Sequence, residues 1–347
     1  MPFECPPLQF DAYSLTSCLD AVDVASEILS GDETSDLNTQ ISSPIWFRGQ
    51  TKSTYVLLPT LLRNNKLTYL ETKLAEESRT QEFAARAYHI IDEKPRTHIE
   101  WQEIMQHYDV KTRLMDWSEN VYTALLFALE PFISDPGDDR FKYKRRSSTP
   151  SLWMLNPVKL NEIVYTHIAE DTAVIRSALS EYTSINPTLP DDLSHRLTNG
   201  RKQFLSVQGN PRSGIVSLSR LEDLRSTASN RLSELLTQNR FNPFFYMLLK
   251  IYSDGIPIDN QVPPLAVVHP YHSKRIETQH GVFTIFPFPP NNGTILPFER
   301  IESCYNCLCE IRLHNPLAIA YDLRKLGFKR TDLYPELSEY GRSIEWR

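Results

Sequence analysis

Three short stretches of this 347-residue chain set polar, chemically capable side chains inside apolar surroundings. The first, "PIWFRGQ" (44–50), ends an apolar run on Arg48, Gly49 and Gln50. A guanidinium presents a planar fork that meets a phosphate through two parallel hydrogen bonds, and exclusion of water strengthens the contact. Gly49, lacking a side chain, lets a ligand or a neighbouring backbone come close. The second stretch, "QHYDVKTRLMDW" (106–117), gathers His107, Tyr108, Thr112, Arg113, Asp116 and Trp117. Histidine titrates near neutrality, so His107 suits general acid–base work. Thr112 suits a hydrogen bond to an amide or a ribose, and Tyr108 and Trp117 offer rings on which a base can stack. The third, "RIETQHG" (275–281), holds Arg275, Glu277 and Gln279. On a strand, Glu277 and Gln279 share one face at i and i+2.

Each stretch also has an architectural reading. Arg48 buried beside Asp116 would tie two segments together without any ligand. Asp116 would otherwise pair with Arg113, and Trp117 would pack on Tyr122 as a staple where the next helix starts. Arg275 and Glu277 would form a surface ion pair, which is worth little. "CYNCLCE" places Cys304, Cys307 and Cys309 close together, but structural zinc needs four ligands and no second CxxC is present. His280 and His314 would complete a site only by coincidence of folding. The three thiols therefore read as buried groups at a strand edge, and no metal is expected.

Periodicity supplies the elements that position these groups. Leu15, Leu19, Val22, Ala25 and Leu29 mark a first amphipathic helix capped by Ser14 or Thr16. A strand over 44–47 delivers Arg48. Leu67, Leu70, Leu74, Phe83, Ala87, Ile90 and Ile91 form the apolar stripe of a long helix ended by Pro95. Trp101, Ile104, Met105 and Tyr108 lie on a short helix that carries Gln106 and His107 into a turn. Ser118 then caps "ENVYTALLFALE", which has almost no polar face and belongs in the core. "PSLWMLNP" (150–157) is a strand. Residues 158–260 are mostly helical and read as an insertion with a small core of its own. Strands come next at "PLAVVHP" and after Gly281, then at "CEIRLHN", with a helix opened by Pro316 and a last one in "TDLYPELSEYGRSIEW".

Composition sets the outer limits. Hydrophobic residues make up 41% and charged residues 23%, ordinary globular usage. The longest apolar runs are too short to cross a bilayer, and "MPFECPPLQF" lacks the basic and apolar regions of a signal peptide. With five cysteines, an odd count, a cytoplasmic protein without a disulfide framework is expected. The net charge of −6 argues against broad nucleic-acid binding. The basic run Arg140 to Ser148 reads as a solvated loop more readily than as a phosphate patch.

Taken together, these motifs resemble the FRG domain family, named for Phe-Arg-Gly, here Phe47-Arg48-Gly49. "LLPTLLR" (57–63) and "QHYDVKTRLMDWSENVYTALLFALE" match the family's next two motifs, and "SLWMLNP", "RIETQHGVFT" and "DLYPELSEYGRSI" extend the resemblance to about residue 345. Asp109 stands where the family favours glycine. More distantly, an early-strand arginine, a threonine-containing turn before an Ala- and Phe-rich helix, and a later polar strand position are similar to the ADP-ribosyltransferase fold. That resemblance implies an α+β protein with a mixed or antiparallel central sheet flanked by helices. Residues 1–157 and 261–347 would form the two parts of the FRG domain around the 158–260 insertion.

The same resemblance implies NAD or a related nucleotide as ligand and a toxin-like or antiphage effector role. Arg48 would hold phosphates, with Gly49, Gln50, Tyr108, Thr112, Arg113, Asp116 and Arg275 around the cofactor. Thr112 and His107 would line the nicotinamide pocket, and Glu277 or Gln279 would face the ribose. Gln279 is neutral and cannot stabilise an oxocarbenium-like transition state as a carboxylate does, which leaves that task to Glu277. Two other readings stay open. One is a non-enzymatic module that recognises a nucleotide, a phosphopeptide or a nucleic-acid end, with a protein partner on the helical insertion. The other is an internal hydrogen-bond network with no cavity beside it.

Overall fold

A computed structural model describes residues 6–31, 44–63, 68–91, 94–95, 98–133, 149–180, 184, 191–205, 215–217, 243–256, 258, 261–268, 273–290, 295–337, 340–341 and 344. The basic run at 140–148 lies outside them, as does the stretch 218–238 of the expected helical region. The fold is α+β. Its sheet is built from β1 (Leu8–Ala12), β2 (Trp46–Gln50), β3 (Leu114–Ser118), β4 (Ser151–Leu155), β5 (Val216–Ser217), β6 (Leu265–Val268), β7 (Gly281–Ile285) and β8 (Leu308–Leu313). Their spatial order is β1-β8-β4-β2-β3-β7-β6-β5. The outermost ladders, β1 with β8 and β5 with β6, are parallel, and the inner ones are antiparallel.

The centre of this sheet is its weakest seam. β2 shares five register pairs with β4, and β3 shares five with β7. Between β2 and β3 a single pair forms, Phe47 with Ser118. The sheet is thus two four-stranded halves that touch at one point and open on either side of it.

Helices cover both faces. On one, α1 (Leu15–Ser30), α4 (Val121–Ala128) and α7 (Pro316–Lys325) pack on Phe47, Leu152, Met154, Cys309 and Ile311. On the other, α5 (Pro157–Glu170) and the segment Pro243–Ser253 join Trp46, Trp117, Trp153 and Phe283 in one core. Among the described residues, the 158–260 region therefore shows no separate core. Its Leu160, Val164, Tyr165, Phe244 and Tyr252 are buried in the same cluster as the central strands, and β5, which lies within it, extends the sheet. No described helix is long and apolar enough to cross a membrane.

Several elements depart from the expectations of periodicity. β1 alternates Leu8, Phe10 and Ala12 with Gln9 and Asp11, a short edge strand in a stretch where none is expected. α2 (Tyr69–Ala87) presents the opposite face from the one expected. Leu70 and Leu74 are exposed, and Thr72, Glu76 and Thr80 are buried. The reason is electrostatic: Glu76 is drawn inward by a buried arginine, Arg113. Asn120, not Ser118, caps α4, its Oδ1 accepting from the backbone N–H groups of Tyr122 and Thr123. The C-terminal stretch begins with a 3-10 turn at Arg330–Asp332 in place of a continuous helix.

Gly49 fixes how α4 sits on β2. A Cβ at that position would lie 1.8 Å from the Ala124 carbonyl oxygen and 2.6 Å from the Ala128 nitrogen. The space beside Gly49 is filled by helix backbone, which cannot move aside as a flexible side chain can. Gly49→Ala is therefore expected to lower stability by about 3 kcal/mol or more, read as a shifted urea midpoint. An unchanged midpoint would show that α4 is not held against β2.

Candidate functional site

Where β2 and β3 part, the Asp116 main-chain carbonyl has no strand partner on the β2 side. Arg48 supplies one: its Nη1 donates to that oxygen at 2.5 Å. The side chain is half-buried, and its Nε is buried with no hydrogen-bond partner. Burial works against the Arg48 charge, Asp116 supports it and Arg63 opposes it. Guanidinium stays protonated in proteins all the same. Beside it lies a cleft of about 170 Å³, walled by Arg48, Gly49, Asp116, Ser118 and Gln279, with Phe47 and Phe127 on its apolar side.

A relay of side chains holds the Asp116 carboxylate. Thr112 Oγ1 donates to Gln106 Oε1 at 2.5 Å, and Gln106 Nε2 donates to Asp116 Oδ2 at 3.0 Å. Thr112 also accepts from the Leu114 N–H. It is thus engaged with its own segment and does not reach the cleft. Gln106, expected only as a turn residue, belongs to the site through this relay.

His107 ends α3 (His98–His107) next to this group. Its Nε2 is buried with no hydrogen-bond partner, and its carbonyl accepts from Arg275 Nη1 at 3.1 Å. Burial pulls its pKa below the ordinary value; Asp116 and Glu336 push it up and Arg275 pushes it down. Two residues on, Asp109 has φ 59, a left-handed turn that glycine adopts freely and Asp tolerates. The turn keeps its left-handed form with Asp in place of glycine.

The remaining residues divide sharply. Gln279 lines the cleft, but its Nε2 donates to the Leu333 carbonyl at 2.8 Å, and its own carbonyl accepts from Ser118 Oγ at 2.7 Å. Glu277 does not line the cleft. Residues Lys274–Thr278 form a helical turn, α6, with Gln279 as its C-cap, and β7 starts only at Gly281. The expected same-face pairing of Glu277 with Gln279 on a strand is therefore lost, and Glu277 faces solvent. Arg275 pairs with Glu336 at 3.7 Å instead of Glu277, and its guanidinium lies 4.7 Å from the centre of the Tyr334 ring. Gln50 is buried and accepts from Trp153 Nε1 at 3.1 Å. Tyr108 is exposed, away from the cleft and beside Phe83. Trp117 is core, donating to Thr284 Oγ1, while Tyr122 stacks on Phe328 rather than on Trp117.

Arg113 lies furthest from its expected place. Its Nε reaches both Glu76 oxygens, at 3.0 and 3.1 Å; Nη1 donates to the Phe286 carbonyl at 2.5 Å and Nη2 to the Tyr252 carbonyl at 3.2 Å. The guanidinium carbon lies 3.8 Å from the centre of the Phe288 ring. With both partners of the pair at most 2% exposed, no ligand can reach it. This arginine joins α2 to the sheet and to the segment around Tyr252, and pairs with neither Asp116 nor a cofactor.

Residues 43–135 match the family model of the FRG domain. The match covers Arg48, Gln106, His107 and Asp116, whereas Gln279 and the C-terminal turn lie beyond it. No curated protein and no solved structure matches the chain.

Arg113 and His107 each carry a stability prediction. Arg113→Ala strands the Glu76 carboxylate in the core, and breaking a buried pair in this way costs about 3–5 kcal/mol; chemical denaturation will show it as a lower midpoint. For His107, the unfolded chain takes up a proton near pH 6.5 while the folded protein still resists it. Native stability therefore falls as pH drops below about 6.5, and levels off only once the folded imidazole is protonated. His107→Gln should show a shallower decline in melting temperature between pH 7 and pH 5, and an identical slope would remove His107 as its source.

Proposed function

We propose that the protein binds a nucleotide-type ligand, with a phosphate seated on Arg48 in the seam between β2 and β3. The observation that carries this reading is the Arg48 Nε, a buried charged donor without a partner at the wall of an open cleft. Leaving such a donor unmade costs about 1–3 kcal/mol or more, which an oxygen of a bound anion would offset. Arg63 adds a second positive charge acting on the same guanidinium. The purely internal network loses support, because Arg48, Asp116 and Gln279 surround a cavity rather than filling it.

Binding without catalysis is the form the geometry favours. Glu277 lies outside the cleft, and the Gln279 amide is engaged by Leu333. The carboxylate at the cleft wall is that of Asp116, and one of its oxygens accepts from Gln106. NAD-consuming or ADP-ribosyl-transferring chemistry, and an antiphage or toxin role with it, would rest on Asp116 with His107 as proton acceptor. NAD is the nucleotide to which the transferase resemblance leads.

Thermal unfolding with NAD, AMP and inorganic pyrophosphate tests the reading. A ligand at about 100 times its Kd stabilises by about 2.7 kcal/mol, a readable shift in melting temperature, and Arg48→Ala should abolish it while still folding. No shift with any of the three, or one that persists in Arg48→Ala, overturns the proposal. Nicotinamide release from NAD, followed by chromatography, is expected to be absent; its presence would return catalysis to the site.

A further inference from the structure

A second cavity, of about 350 Å³, is lined in part by the C-terminal segment, through Thr331, Asp332, Pro335 and Tyr340. Neighbouring residues line one cavity each: Ala124 and Gln279 face the first, Thr123 and Thr278 the second. What divides them is the turn around Leu333, which is 1% exposed and takes the Gln279 amide on its carbonyl. The next residue fastens that turn down. The Tyr334 hydroxyl donates to Glu130 at 3.2 Å, and its ring lies edge-on to Phe127 and between the guanidinium groups of Arg275 and Arg330.

We infer that the two cavities are halves of one ligand site, divided by a strap at residues 330–336, and that the second half takes the planar base of the nucleotide whose phosphate sits on Arg48. The inference rests on the binding role proposed for Arg48. Size supports it: sites for ligands larger than a fragment measure about 300–1,000 Å³, so the 170 Å³ cleft holds a phosphate-sized group and little more. The second cavity has the remaining room, with Tyr122, Phe328 and Tyr340 for a ring face, and Lys274, Asp332 and Asn120 for its polar edge. The strap is anchored by Leu333, which joins the core beneath α1, α4 and α7, and beside it by the polar and ring contacts of Tyr334. It can yield to a ligand that replaces the Gln279–Leu333 hydrogen bond with its own.

Thr331 lines the second cavity and takes no part in the Arg48 cleft. Calorimetric titration of Thr331→Trp with AMP and with inorganic pyrophosphate separates the two ideas. The wild type should bind AMP at least tenfold more tightly than pyrophosphate. Thr331→Trp should weaken AMP at least tenfold and leave pyrophosphate unchanged. Tyr334→Phe, which removes only the hydroxyl bond to Glu130, should speed AMP association several-fold and spare pyrophosphate. Equal binding of AMP and pyrophosphate by the wild type, or AMP binding indifferent to Thr331→Trp, overturns the inference and leaves the Arg48 reading standing. Absence of binding by both AMP and pyrophosphate removes the Arg48 reading and this inference with it.

Discussion

Asp116 turns a carbonyl toward a strand that has already moved away, and Arg48 reaches across to meet it. An unpaired carbonyl within a sheet costs free energy comparable to a lost hydrogen bond. Where the two halves of the sheet diverge, the Arg48 side chain takes the place of the missing ladder donor. A side chain long enough to cross the gap does so, and what it leaves beneath is a cleft. Each central strand is clamped on its outer side by five register pairs, and β2 is pressed onto α4 through Gly49. With the strands held apart by their own neighbours, the opening is a property of the fold rather than of any loop. The side chains that wall it belong to β2, β3, α4 and the end of α6.

Two arginines in similar sequence settings meet opposite fates, and charge accounts for the difference. Arg113 finds a carboxylate, two carbonyls and an aromatic face. Two charges removed from water require that degree of satisfaction, because the desolvation penalty otherwise exceeds the attraction. Its partner Glu76 must face inward, and with Glu76 goes the whole of α2, so that Leu70 and Leu74 are left outside. Arg48 has a carbonyl and a neighbouring charge but an unsatisfied Nε. The first arrangement holds elements in place. The second leaves a buried donor without a partner.

The same contrast explains what could be read from the sequence. The placing of Arg48 at the end of β2 beside Asp116 was legible because an arginine after an apolar run has few reasons to be there; Gln279 was expected on a strand and ends a helical turn instead. The α2 face was not legible: its stripe of leucines obeys helical spacing, and the interaction that outweighs it joins residues 37 positions apart. Glu277 was misplaced for a local reason. Ser273 caps a helical turn by accepting from the Ile276 N–H, so i and i+2 no longer share a face as they would on a strand. Asn120 was hidden behind Ser118, an equally good capping type two residues earlier. That serine accepts from the Asn120 N–H and so sets the geometry of the cap without forming it. Continuity of the core across 158–260 depends on contacts between distant segments that periodicity cannot express.

The electrostatics of the cleft favour an anion despite the acidic chain around it. The Asp116 carboxylate acts on the Arg48 charge more strongly than Arg63 does, yet it makes no hydrogen bond to the guanidinium, which takes its main-chain oxygen while the carboxylate accepts from Gln106. Arg63, tied by its Nε to the Leu58 carbonyl, stands close enough to act on Arg48 as a second positive charge. In a partly buried site such charges are screened less than they would be on the surface. A group with two or more acceptor oxygens can use the free Nε, whereas a neutral ligand leaves it unsatisfied. On the proposed reading, the seam that separates β2 from β3 would select for charge first, and the strap would then limit what is joined to that charge.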